Sequence, residues 1–147
     1  MGHKVHPTIY RTPHVFPWDS RWFAKPELLP EYLEQETLIR ELLEKKLKDA
    51  GLDSISVERN PKEMTITILA AKPGAVIGRG GTGLEEIRKQ IERTILKFKT
   101  KVKLNIVAVA QPALSANIVA QGMAMELERR LPFRRVMKQA MEKVMAA

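Results

Sequence analysis

Pro73-Gly74-Ala75-Val76-Ile77-Gly78-Arg79-Gly80-Gly81-Thr82-Gly83-Leu84 places a short apolar turn directly before four glycines in six positions. Glycine adopts positive φ freely and lets another backbone approach closely. A helix start alone needs small residues, but rarely this many glycines. Immediately after them Leu84, Ile87, Ile91, Ile95 and Phe98 recur at helical spacing, so the glycines open an amphipathic helix. Its other face carries Lys89, Arg93 and Lys97 at i, i+4, i+8.

Upstream, Ser54 to Arg59 alternates with Ile55 and Val57 on one face. Met64 to Ala70 alternates likewise, with Met64, Ile66, Ile68 and Ala70 together. The turn Asn60-Pro61-Lys62 between them predicts an antiparallel hairpin. Before the hairpin, Glu31 to Ala50 reads as a helix through Ile39, Leu42, Leu43 and Leu47, with Gly51 as its stop. Downstream, Lys101 to Ala110 reads as a strand with Val102, Leu104, Ile106 and Ala108 on one side. The order is helix, strand, strand, short helix, glycine loop, helix, strand. A further helix is expected from about Pro112 to Leu131, with Val119, Met123, Leu127 and Leu131 on one side and a break at Pro132. A last helix shows Phe133, Met137, Ala140, Met141 and Val144 on its apolar face.

Gly78, Gly80 and Gly83 also satisfy the G-x-G-x-x-G pattern of dinucleotide folds. That fold needs an acidic residue at the end of the following strand to hold a ribose. Lys101 to Ala110 contains none, and no glycine is followed by Lys-Ser or Lys-Thr. The other reading is a G-x-x-G loop ending on Gly78 and Gly81. Its bare main chain lies against a single-stranded sugar–phosphate backbone while the next helix points its first amides at the phosphates. Arg79 adds charge at the tip. Val76, Ile77, Leu84 and Ile87 are expected to line a groove for bases. The order α-β-β-α-α-β with this loop between the second and third helices resembles the type II KH domain. That fold class is α+β, a three-stranded mixed sheet with helices on one face. The expected organisation is an extended N-terminal arm over 1–30, the KH domain over 31–110, and a segment of two helices over 111–147.

Charge supports a polyanionic partner. The chain carries +8. Residues 72–103 contribute +6 and residues 129–147 contribute +5, while the arm adds +2 and the remainder is acidic. The absence of cysteine excludes disulfides, thiolate metal sites and thiol nucleophiles, and fits a reducing cytoplasm. No apolar run is long enough to cross a membrane, and the N-terminus lacks the apolar stretch of a secretion signal. Nothing pairs a nucleophile with a base, so no enzyme is expected. Neither cofactor nor metal is expected: His3, His6 and His14 have no second ligand pair at suitable spacing.

Two stretches narrow the family. Gly2-His3-Lys4-Val5-His6-Pro7 with Arg11, followed by Trp18-Asp19-Ser20-Arg21-Trp22-Phe23-Ala24, resembles the opening of the bacterial-type small-subunit ribosomal protein three family. Leu127-Glu128-Arg129-Arg130 and Phe133-Arg134-Arg135-Val136-Met137-Lys138-Gln139-Ala140 resemble the helical segment after that family's KH domain. After Arg11 the family usually has a glycine two places on, where this chain has Thr12-Pro13. The family also has a second α/β domain that begins just where this chain stops.

The resemblance implies a structural RNA-binding protein in the head of the small ribosomal subunit, in the cytoplasm. Its implied partners are ribosomal RNA, mRNA, and neighbouring ribosomal proteins ten, fourteen, two, four and five. Arg134, Arg135 and Lys138 would face the channel by which mRNA enters, with Arg130 beside them. Lys4 and Arg11 in the arm, and Lys72, Gly78, Arg79, Gly80, Gly81 and Lys89 in the domain, complete the expected RNA contacts. Three points stay open on sequence alone. The row Lys89, Arg93, Lys97 meets RNA or only solvent. The face of Arg134, Arg135 and Lys138 has the same bland alternative. Trp18 and Trp22 are read as packing the arm down, with base stacking as the alternative.

Overall fold

The computed structural model describes residues 2–60, 62–97 and 100–147. Phe98 and Pro61, assigned above to the apolar stripe and the hairpin turn, lie outside those residues, as does the side chain of Arg79.

Helix α2 (Leu29–Lys46) precedes the hairpin of β2 (Leu52–Arg59) and β3 (Glu63–Ala70). Helix α3 (Pro73–Ile77), the glycine loop, helix α4 (Thr82–Gln90) and strand β4 (Lys101–Ala108) complete the α-β-β-α-α-β order. β2 and β3 are antiparallel, with Val57 opposite Ile66 and Ile55 opposite Ile68. β4 lies parallel to β3, with Leu104 opposite Ile66 and Ile106 opposite Ile68. This register puts Ile55 and Val57, Met64, Ile66, Ile68 and Ala70, and Val102, Leu104 and Ile106 on one face, while Leu69 and Val107 pair on the other. Ile39 and Leu43 of α2, Ile87 of α4 and Ile91 just after it bury against the first face. The opposite face carries a polar row, Ser56 beside Thr67 beside Asn105. Burial on one side only is what the period-two alternation demands.

The α4 stripe is not a straight α-helix. Leu96 donates to the Ile91 carbonyl five residues back at 3.1 Å, so Ile91–Ile95 form a π turn. The wider turn lets Ile91, Ile95 and Leu96 all reach the core.

The sheet has four strands where three were expected. The arm supplies the extra one: β1 (Ser20–Arg21) lies parallel to β2, opposite Val57 and Glu58. The arm is not wholly extended either, because Pro7–Tyr10 form one helical turn, α1. Proline at the first helical position is favourable there. What holds β1 is a buried carboxylate. Glu36 of α2 accepts from the Ser20 hydroxyl, from Trp22 Nε1 at 2.6 Å and from Arg40 Nη2 at 2.7 Å. Arg40 Nη1 also donates to the Ile55 carbonyl at 2.7 Å, tying α2 to β2. Trp22 stands edge-on to Tyr32 with centroids 5.9 Å apart, and the Arg59 guanidinium sits 3.5 Å over the Tyr32 ring. Burial works to raise the Glu36 pKa, but hydrogen bonds from Ser20, Arg40 and Trp22 outweigh it and hold the carboxyl below its ordinary value.

The C-terminal helices are fastened through a β-bulge. Leu52 faces Ala70 while Ser54 faces Leu69, so Asp53 is an extra residue in β2. The Ser115 hydroxyl donates to the Asp53 carboxylate. Asn117 Nδ2 donates to the Asp53 carbonyl at 2.8 Å, and Gln121 Nε2 to the Leu52 carbonyl at 2.9 Å. The bulge thus frees carbonyls that α5 (Ala116–Glu128) satisfies. The helix begins later than the sequence suggests. Pro112–Leu114 form a separate tight turn, and Ser115 caps α5 by accepting from the Ile118 amide.

Helix α6 (Phe133–Met145) packs against α5, but not through the face expected. Val136 is the residue it buries, while Phe133, Met137, Met141 and Val144 remain exposed. A helix lying on one neighbour buries only a narrow strip, and here that strip runs through Val136 and the half-buried Ala140.

Candidate nucleic-acid interface

The loop joining α3 to α4 has two kinds of glycine. Gly78 and Gly83 are there for packing. A Cβ on Gly83 would stand 3.0 Å from the Val76 carbonyl oxygen, and one on Gly78 3.1 Å from the Gly83 amide nitrogen. These two let α3 and α4 cross closely. Gly78, Gly80 and Gly81 all have positive φ, 71°, 64° and 82°, but a Cβ on Gly80 or Gly81 would meet nothing within 4 Å. Their backbone faces open space in a conformation that L side chains rarely adopt. Gly81 is also the N-cap of α4 and offers no side chain to its first amides. The segment therefore presents bare main chain at a helix N-terminus, which suits an anion.

The apolar groove beside the loop is narrower than the sequence suggests. Val76 and Ile87 are buried in the core and unavailable to a ligand. Ile77, 39% exposed, and the half-buried Leu84 are what remains at the surface. Lys72 stands exposed before α3, its amide bonded to the Ala50 carbonyl at 3.0 Å.

Ion pairing separates structural cations from available ones. Lys103 donates to Glu63 at 2.8 Å, a hydrogen bond that holds the Glu63 carboxyl below its ordinary value. Arg88 pairs with Glu92, whose carboxylate also accepts from the Val102 amide and so joins α4 to β4. Lys143 reaches Glu126 across the α5–α6 junction at 3.6 Å. By contrast Arg130, Arg134, Arg135 and Lys138 are exposed and have no ion-pair partner among the described residues. Arg134 and Lys138 are one turn apart on α6, and Arg134 lies 5.8 Å from its neighbour Phe133's ring centroid.

Arg130 reaches this group through an unusual backbone. Its φ is +62°. Its amide donates to Leu127 at 2.8 Å, and Leu131 donates to Glu126 at 3.3 Å. This pair of bonds is the Schellman closure of α5, with an arginine in the left-handed seat that glycine usually fills.

Lys4 and Arg11 are exposed in the arm, where the Arg11 guanidinium donates to the Pro7 carbonyl at 3.2 Å. Lys89 lies two turns into α4 with Glu85 at 3.8 Å. The expected contacts thus fall into three groups by element: the arm, the loop with α3 and α4, and the α5–α6 junction. The two tryptophans part company. Trp22 packs as expected, while Trp18 is 56% exposed. Phe23 is 92% exposed, and no periodicity in the arm signals it.

A family model described as the KH domain matches residues 38–114. The chain belongs to the KH domain family. The match begins inside α2 and takes in the KH hairpin, the glycine loop, α4, β4 and the Pro112–Leu114 turn. Beyond the KH match, the whole chain is similar to curated proteins named small ribosomal subunit protein uS3. It is 43% identical over 145 residues to that of Caldicellulosiruptor saccharolyticus, covering 99% of this chain and 64% of the relative. It is 42% identical to that of Finegoldia magna over 147 residues, 100% of this chain and 59% of the relative. For Endomicrobium trichonymphae the identity is 39%, covering 61% of the relative. The chain spans about three fifths of the length of these curated relatives.

Proposed function

We propose that this chain is a structural constituent of the small ribosomal subunit, binding ribosomal RNA through its KH domain. The carrying observation is the pairing of a bare, positive-φ glycine loop at a helix N-terminus with similarity to uS3 proteins across the whole chain. RNA is held by the backbone amides of Gly80 and Gly81 and by the exposed main chain at Gly78, whose own amide is bonded to the Gly74 carbonyl, with Arg79 and Lys72 supplying charge. The arm, through Lys4 and Arg11, reaches further ribosomal RNA.

The α5–α6 junction does separate work. Arg130, Arg134, Arg135 and Lys138 bind incoming mRNA at the channel entrance of the subunit head. Any strand separation there is passive: the cations hold a displaced strand, and translocation supplies the driving force. Neighbouring proteins ten, fourteen, two, four and five complete the environment. The chain therefore resides on the cytoplasmic ribosome.

Sedimentation of cell extract in high salt tests this reading. The expected result is that the chain stays with the small subunit. A chain that strips away as a free, RNA-binding species contradicts it and favours a free-standing KH regulator of single-stranded RNA.

A further inference from the structure

Helix α4 has two flanks. On one, Glu92 reaches the Val102 amide of β4. On the other, the π turn that continues α4 packs against α2, and a depression of about 350 Å³ opens between α2 and the end of α4. Its lining is Lys46 from the last turn of α2 with Glu86, Lys89, Gln90, Arg93 and Thr94 from α4 and its π turn. Lys46, Gln90 and Thr94 also line the adjoining hollow, where Lys45 joins them. The seam is thus a continuous surface, more cationic than anionic.

The cations here are available. Lys46 and Arg93 are exposed and have no ion-pair partner among the described residues. Lys45 and Lys89 pair with Glu41 and Glu85 at 3.7 and 3.8 Å, but all four side chains are more than half exposed. Such exposed pairs are weak and give way to a polyanion. Lys89 and Arg93 stand one helical turn apart, about 6 Å along the axis, on the side of α4 away from Ile87 and Ile91. Gln90 and Thr94 add neutral hydrogen-bonding groups between them and α2.

Chemistry narrows the ligand. Cations with amide and hydroxyl groups between them suit phosphate oxygens. The lining contains no aromatic ring, so it lacks the stacking platform that surfaces for unpaired bases use. Paired RNA needs no platform, because its bases are stacked inside and its phosphates face out. We propose that the α2–α4 seam is a second RNA surface, which takes the phosphate backbone of an RNA duplex through Lys46, Lys89 and Arg93. The glycine loop, at the N-terminal end of α4, holds a different strand. The chain then bridges two RNA segments across one helix. This deepens the ribosomal RNA reading above, and the test separates the two.

The test uses the full chain with two labelled probes, a single-stranded 12-nucleotide RNA and a 20-base-pair RNA duplex. In the double variant Lys46→Glu, Arg93→Glu, duplex affinity should fall at least tenfold. The slope of its log affinity against log salt should flatten by about two, one for each cation that no longer neutralises a phosphate. Single-strand affinity should stay within twofold. The loop variant Arg79→Asp, Gly80→Asp should do the reverse. Both seam positions are exposed, and an unchanged thermal melt verifies folding. Duplex binding unaltered by the seam variant overturns the proposal, as does a single strand that displaces the duplex from the wild-type chain. Loss of single-strand binding alone in the loop variant leaves the seam standing. Failure of the loop variant to change anything strikes the KH reading and not the seam.

Discussion

At the residue scale, the decisive atoms are the ones glycine lacks. Gly80 and Gly81 keep a surface clear for a ligand, whereas Gly78 and Gly83 keep one clear for the protein's own backbone. The sequence shows four glycines alike, and only the folded backbone divides them. Arg130 is the converse case, a long side chain in a seat made for glycine. A left-handed conformation costs an L-residue about 1–2 kcal/mol, and strain of this kind collects where function demands the side chain. Arg130→Gly should therefore stabilise the chain by about 1 kcal/mol, raising Tm by about 3 °C, while weakening RNA binding. Thermal denaturation beside RNA titration checks this; a loss of stability would mean that the guanidinium is needed for the fold. Nothing in Leu127-Glu128-Arg129-Arg130 announces the conformation, because it arises from closing α5 ahead of Pro132.

At the element scale, the order α-β-β-α-α-β is legible because the strands and the two long helices are strictly periodic, and Pro73 with the glycine cluster marks the short helix between them. β1 is not legible: two residues have no period, and their pairing with Val57 and Glu58 is decided by Glu36 on a distant helix. The start of α5 is hidden for a related reason. Pro112 is a good first residue, but the Ser115 cap is the stronger signal once Asp53 bulges toward it. The Glu36 network carries a pH signature. Its folded carboxyl titrates below the unfolded one, so its stabilisation is complete above the unfolded value of about 4.3. It is lost as pH falls through the folded value. Glu36→Gln should cost about 2 kcal/mol and flatten the acid limb of stability against pH. Equal acid sensitivity in wild type and variant would remove Glu36 from that role.

At the scale of the whole molecule, positive charge collects where no carboxylate answers it. Pairing absorbs Arg21, Arg40, Arg88, Lys103 and Lys143. It leaves Arg130, Arg134, Arg135 and Lys138 open, a distinction that net charge cannot make. If Arg134, Arg135 and Lys138 each contact a phosphate, replacing all three by alanine should flatten the salt slope for RNA by up to about three. An unchanged slope would return them to solvent. The exposed row Phe133, Met137, Met141 and Val144 also belongs to this scale. Periodicity finds an apolar stripe on α6, but which strip is buried depends on where α5 lies.

The most direct test follows the backbone amides of Gly80 and Gly81 by NMR while a single-stranded RNA is titrated in. These amides should shift and saturate with the binding curve, while those of Ile66 and Ile68 in β3 stay still. RNA bound at saturation with both glycine amides unmoved would contradict the loop's role outright.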